Sequence, residues 1–186
     1  KEVPLKFEFS NVPAGYDPAE LNASISPATI RIAGAADTVD GIESVNAGFI
    51  NLARVQLGKA ETLKIQLSEG LVNVDDVQEA TVTFDTSGYG EPRAITVSDI
   101  RVVNAPSGVD VKVITESINN VTLVGEAEEL AAISPSDVIA QVDASAQNIT
   151  VKGSGQQQFS AQIIVTGTKT VFATGAYSVL CDITVK

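Results

Sequence analysis

No histidine occurs anywhere in this chain, and only one cysteine, Cys181. The first absence removes His-based triads, Cys–His pairs and imidazole metal ligands. The second removes any disulfide framework within the chain, which neither requires nor excludes an oxidising compartment. Methionine is missing too, the initiator included, so the sequence reads as a processed or excised piece. It holds no apolar run of about 18 residues, so no helix in it spans a membrane, and no signal peptide is visible. Cations are scarce: 12 Lys and Arg stand against 23 Asp and Glu, a net charge of −11. Such a surface repels phosphate backbones and anionic lipid, so the expectation is no nucleic-acid partner and no direct membrane binding. The charge serves solubility. Aromatic residues make up 5% of the chain, which leaves the core to Val, Ile, Leu and Ala. Val, Ile and Thr are frequent, and these favour strands.

The chain repeats itself. Asn11, Pro13 and Gly15 recur as Asn104, Pro106 and Gly108, 93 positions on. Ser24-Ile25 recurs as Ser117-Ile118 at the same offset, which then falls to 91. There Ile30, Ile32, Gly34, Val39 and Ile42 match Val121, Leu123, Gly125, Leu130 and Ile133. Val45 and Ala47 match Val138 and Ala140, and the last strands align as TVTFD (81–85) with DITVK (182–186). Gaps that fall between elements are what duplication and loop drift leave behind. The repeats predict two homologous domains, 1–87 and 92–186, joined by the turn-like stretch around SGYGEP (87–92).

Period gives the elements. LKFEF (5–9), ITVSDIRVV (95–103), VDVKVI (109–114), LKIQL (63–67), TVTF (81–84), AQIIV (161–165) and VLCDITV (179–185) read as strands. VPAGY and APSGV place Pro and Gly in turns that end the first strand of each copy. TIRIAG and VTLVG are short strands stopped by glycine. AADTVDGI and EAEELAAI carry apolar residues three or four apart with early acids, which suits one or two helical turns. QQQ (156–158) after GSG reads as a polar loop. The class is all-β with one short helix per repeat.

Candidate chemistry is thin. Gly34 and Gly125 lack the further glycines and lysine of a phosphate cradle. They read as positions of positive φ or close backbone approach. Alternation puts Cys181 on the face of Val179 and Ile183, a buried and inert thiol. Asp75-Asp76 falls in a hairpin and Asp37/Asp40 on the first short helix, and neither has the spacing of a calcium loop. NAS (22–24), NVT (120–122) and NIT (148–150) match the glycan acceptor pattern, a frequent chance occurrence. The sequence therefore predicts no catalytic, cofactor-binding or metal-binding residues and no cofactor.

Three ordered pieces occur in each half. They are FSNVPAGY, TIRIAGAADTVDGI and NAGFINL in the first, and VVNAPSGV, NVTLVGEAEELAAI and AQVDAS in the second. This set resembles the YbbR-like domain family, whose repeats carry an N-x-P-x-G-like loop, a strand-Gly unit, a short acidic helix and an A-x-V-D-x-S-like segment. Ala140–Ser145 fits that last pattern, whereas Phe49-Ile50-Asn51-Leu52 departs from it. The resemblance implies two tandem YbbR-like β domains in an elongated arrangement. It also implies a non-enzymatic, extracytoplasmic module anchored by a helix outside this chain. Its partner would be a membrane-embedded diadenylate cyclase, the cyclic di-AMP synthase that CdaR-type members regulate. The alternative is a structural or adhesive surface protein with tandem β domains, binding cell-wall polymer or a host ligand.

Overall fold

A computed structural model describes residues 1–186, which form two compact units. Unit 1 comprises Lys1–Asn11 and Leu21–Ser87; unit 2 comprises Val12–Glu20 and Gly88–Lys186. Unit 1 contains β1 (Glu2–Ser10), β2 (Ala23–Ser26), β3 (Thr29–Ala33), helix α1 (Ala36–Asp40), β4 (Val45–Asn51), β5 (Glu61–Lys64), β6 (Val72–Asn73) and β7 (Glu79–Phe84). Unit 2 contains β8 (Arg93–Val97), β9 (Asp99–Val103), β10 (Val109–Val113), β11 (Ile118–Val124), helix α2 (Ala127–Ala132), β12 (Val138–Asp143), β13 (Ser154–Val165), β14 (Phe172–Thr174) and β15 (Tyr177–Val185). The protein is all-β, with one short helix in each repeat.

The two units share a plan. In unit 1, β1 alternates Val3 and Leu5 inward, and each end takes a different neighbour. Its start pairs antiparallel with β3, and its end pairs parallel with β4. In unit 2 the same strand is split at Ser98. β8 pairs antiparallel with β11, and β9 pairs parallel with β12. The edge additions match as well: β6 lies beside β3, and β14 beside β11. The last strand of each copy sits between two others, giving β2-β7-β5 and β10-β15-β13.

Register shows which sequence matches are real equivalences. Ile25 faces Val82 and Ala23 faces Phe84, just as Val111 faces Ile183 and Val109 faces Val185. The alignment of TVTFD with DITVK therefore holds, and β2 is the counterpart of β10. The match of Ser24-Ile25 with Ser117-Ile118 does not hold, because Ile118 pairs with Val97 on β8. Between Gly15 and β2 the first copy carries seven residues, Tyr16–Asn22, that the second lacks between Gly108 and β10. Most of that insertion lies in the Val12–Glu20 strap, which belongs to unit 2.

Two further expectations are corrected. QQQ is not a loop: it lies inside the twelve-residue β13, with Gln156 and Gln158 outward. Gln157 is half-buried, accepting from the Thr150 N–H at 2.9 Å and donating to the Asn148 carbonyl at 2.6 Å. Alternation of polar with small or apolar residues is a strand signal even when the polar ones are all amides. LKIQL is strand only through Lys64.

The core of unit 2 gathers inward residues from both sheets, Phe159, Val179, Cys181 and Ile183 among them. That of unit 1 is smaller and centres on Val3, Leu5, Ile30 and Ile32. Burying one such aliphatic side chain contributes about 1.5–3 kcal/mol.

Candidate functional site

The motifs that recur in both copies fold into joints. In the N-x-P-x-G loops, Asn11 and Asn104 adopt φ of 50° and 54°, and Gly15 and Gly108 adopt 87° and 78°. The N–H of Tyr16 donates to Pro13 O at 3.2 Å, and that of Val109 to Pro106 O at 3.0 Å. Each is a four-residue turn with glycine at its third position, where positive φ is required. Asparagine tolerates the left-handed region because its short side chain bonds locally.

The A-x-V-D-x-S segment closes on that loop. Asp143 accepts from the Ser145 N–H and hydroxyl at 3.0 and 2.7 Å, and from Asn104 Nδ2 at 3.0 Å. The Ser145 hydroxyl, then Asn104, hold its carboxyl below the usual carboxylate range. The first copy solves its departure with a bulge. Registers shift by one between Lys6 and Glu8, where Gly48 is the extra residue, with Asn46 Oδ1 accepting from its N–H at 2.8 Å. Past it, Ile50, Asn51 and Leu52 take the places of Val142, Asp143 and Ala144. Asn51 Oδ1 accepts from the Ala53 N–H at 3.0 Å, as Asp143 does from Ser145.

The repeated glycines are close approaches. A Cβ on Gly34 would lie 2.8 Å from Gly70 O; one on Gly125 would lie 2.5 Å from Thr170 O and 2.7 Å from Val171 Cα. Close backbone approach applies at both, and Gly125 also has a positive φ of 157°. Neither helix has a side-chain cap at its start.

Titratable groups are spread out. Cys181 is buried on the face of Val179 and Ile183, and burial pushes its thiol up. Asp37 and Asp40 sit on α1. Asp75 and Asp76 lie in the turn after β6. The Arg31 guanidinium and backbone N–H both donate to Asp75 at 2.7 Å and hold its carboxyl down. Glu129 on α2 accepts from the hydroxyls of Thr168 and Thr170, which lower its pKa. Asp137 accepts from the Ser134 hydroxyl and N–H in a capping box. No three His, Cys, Asp or Glu side chains converge as a metal site. An open recess of about 530 Å³ lies between Gly90–Ala94 and α2. The guanidinium there, Arg93, is already committed to the carbonyls of Leu130 and Ile133 at 3.2 and 2.8 Å.

Two features escaped sequence reading. The first is a phenol pair in unit 2. The Tyr16 ring lies on Phe172, centroids 4.4 Å apart, and its hydroxyl is buried beside that of Tyr89. The two hydroxyls sit close enough to shift one another's ionisation, yet neither makes a hydrogen bond of acceptable geometry. Burial first, then Tyr89, pushes Tyr16 far up; burial also raises Tyr89. The second is apolar surface. Phe49 is 61% exposed on β4, Val72 is 62% exposed on β6, and Val74 just beyond it is 49% exposed. Isolated exposed apolar side chains are ordinary, and Phe49 and Val72 stand on the two opposite edge strands of the β4-β1-β3-β6 sheet.

No curated protein matches the sequence. Two solved structures resemble it. A solution structure of a protein from Streptococcus thermophilus shares 20% identity over 45% of this chain and 81% of its own, with a TM-score of 0.35. The crystal structure of a YbbR-like protein from Streptococcus pneumoniae shares 17% identity over 100% of this chain and 92% of its own, with a TM-score of 0.32. The sequence model of the family described as YbbR-like protein matches residues 3–99, just over half of the chain, and the chain therefore belongs to the YbbR-like family.

Proposed function

We propose that this chain is a non-enzymatic, extracytoplasmic module of a membrane-anchored YbbR-domain protein. It regulates a membrane-embedded diadenylate cyclase, and hence cyclic di-AMP synthesis, by protein–protein contact. The observation that carries the reading is family membership over residues 3–99. The exposed Phe49 supplies a side chain for such contact. Regulation of this kind needs a partner whose conformational states bind the module unequally, since a ligand of equal affinity shifts nothing.

The test is a pull-down from detergent-solubilised membranes of the source organism, with this chain as bait and mass spectrometry as readout. Enrichment of a multi-spanning diadenylate cyclase, weakened by Phe49→Ser, is the expected result. Recovery of wall polymer or surface proteins without a cyclase would overturn the regulatory reading and move the function to adhesion. An unchanged cyclic di-AMP level after deletion of the gene would also overturn it.

A further inference from the structure

The duplication lets a surface of unit 1 be compared with its counterpart on unit 2. β6 meets β3 through Ile32↔Asn73 and Ala33↔Val72; β14 meets β11 through Leu123↔Ala173 and Val124↔Phe172. Ile32 and Leu123 are equivalent, so Val72 stands where Phe172 stands, and Ala33 where Val124 stands. Leu123 and Ala173 join the unit 2 core. One residue on, Val124 and Phe172 therefore face the other way, out of the sheet.

The two outward places are in opposite states. Phe172 is 1% exposed and Val124 is 7% exposed, although both lie outside the main core cluster. The Tyr16 ring of the Val12–Glu20 strap lies on Phe172. Tyr16, 7% exposed, is the one buried residue of that strap. A Pro-x-Gly turn presents it, and Gln162 Nε2 donates to Val12 O at 3.4 Å. On unit 1 the same place is open, with Ala33 exposed and Val72 at 62%. Its two side chains are smaller than Val124 and Phe172, which leaves room for a ring. The second copy lacks the inserted tyrosine, so within this chain only one strap serves two equivalent places.

We propose that the outward face of the β3–β6 pair in unit 1 is a docking site for a strap of the Val12–Glu20 type, presented by another unit of this fold. The strap's tyrosine, held out by a Pro-x-Gly turn, packs over Ala33 and Val72 as Tyr16 packs over Phe172.

The test uses the whole 186-residue chain, isotopically labelled, titrated with a synthetic peptide of residues 10–21 and followed by NMR. A strap with one buried ring makes a small contact, so peptide in trans is expected to bind weakly, with a Kd on the order of 1 mM. Saturable shifts at the Ala33, Val72 and Val74 amides are the expected result. They should vanish when the peptide carries Tyr16→Ser, and weaken at least about fivefold in the Val72→Lys protein. Val72 is exposed, so that variant keeps its fold. Absence of saturable shifts up to about 5 mM peptide would overturn the proposal. Shifts that survive Val72→Lys, or that are confined to the surroundings of Phe172, would overturn it equally, because the peptide would then be exchanging with the resident strap.

Discussion

Unit 2 has the larger buried core, and about half of the difference lies in one hairpin. β13 and β15 run for twelve and nine residues, whereas their counterparts β5 and β7 run for four and six. Phe159, at the centre of the long hairpin, stands where unit 1 has Ile65, one residue past the end of β5. The motifs shared by the copies form joints and turns in both. Motif residues line the core of both units, and the long hairpin outside the motifs adds depth to unit 2. A duplicated domain can thus keep its topology while its two copies diverge in stability, because topology rests on a few joints and stability on buried area.

The sharpest way to break the comparison is a pair of single-residue deletions. Removing Gly48 takes out the bulge and gives β4 the register β12 already has, so unit 1 should lose less than about 1 kcal/mol. Removing Gln141 moves Val142 and Ala144 from the core face to the outer one, and unit 2 should no longer fold cooperatively. Circular dichroism melts and amide dispersion in NMR spectra separate these outcomes. Similar damage from both deletions would mean that Gly48 is not an extra residue relative to β12.

Core truncation comes next. Phe159→Ala should cost about 3–5 kcal/mol, the range for a fully buried large side chain. Ile65→Ala, at a half-buried position, should cost about 1–2 kcal/mol. Urea denaturation with a probe in each unit reads both, and equal costs would deny that the long hairpin carries the extra stability.

The repeated glycines offer a finer contrast. Gly125→Ala drives a methyl against Thr170 O and Val171 Cα, the backbone leading into β14, and should cost about 2–3 kcal/mol. At Gly34 one backbone atom, Gly70 O, lies at 2.8 Å and the next neighbour is the Leu71 side chain at 3.1 Å, so Gly34→Ala should cost less, about 1–2 kcal/mol. A reversed order in thermal melts would show that the loop before β6 is the stiffer support.

The smallest effect is with alkaline pH. Tyr16 and Tyr89 are raised above the ordinary tyrosine value of 10.0, burial being the first cause. Below that pH both folded and unfolded chains keep these protons, and the stabilisation is fully present. Above it the unfolded chain ionises while the folded one does not, so stability falls as pH rises. All three tyrosines, Tyr16, Tyr89 and Tyr177, lie in unit 2, so unit 1 should show no such tyrosine-linked loss. Absorbance of tyrosinate during a pH titration, with melts of each unit alongside, tests this. Ionisation of Tyr16 near pH 10 would show that it is not held in unit 2.

Much of the fold was legible because its signals are local. Alternation placed Val179, Cys181 and Ile183 inward, and the glycine-stopped strands and short acidic helices fell where period put them. The insertion of Tyr16–Asn22 was not legible. A chance Ser-Ile pair restored the offset and hid it, and only pairing of Ile25 with Val82 and of Ile118 with Val97 exposed the slip. The exposed Phe49 was also out of reach, because the bulge at Gly48 breaks the alternation that would have placed it.

The sequence by itself determined the duplication, the all-β class, the turn chemistry of the N-x-P-x-G loops and the family. Each of these is written in residues near one another, where spacing and backbone preference act directly. Only the tertiary structure decided that Val12–Glu20 belongs to unit 2, that Gly34 and Gly125 serve close approach, and that Val72 is open where Phe172 is covered. Those facts depend on which distant segment arrives beside a residue. Packing across a sheet is settled by register and shape, and neither can be read from a single strand.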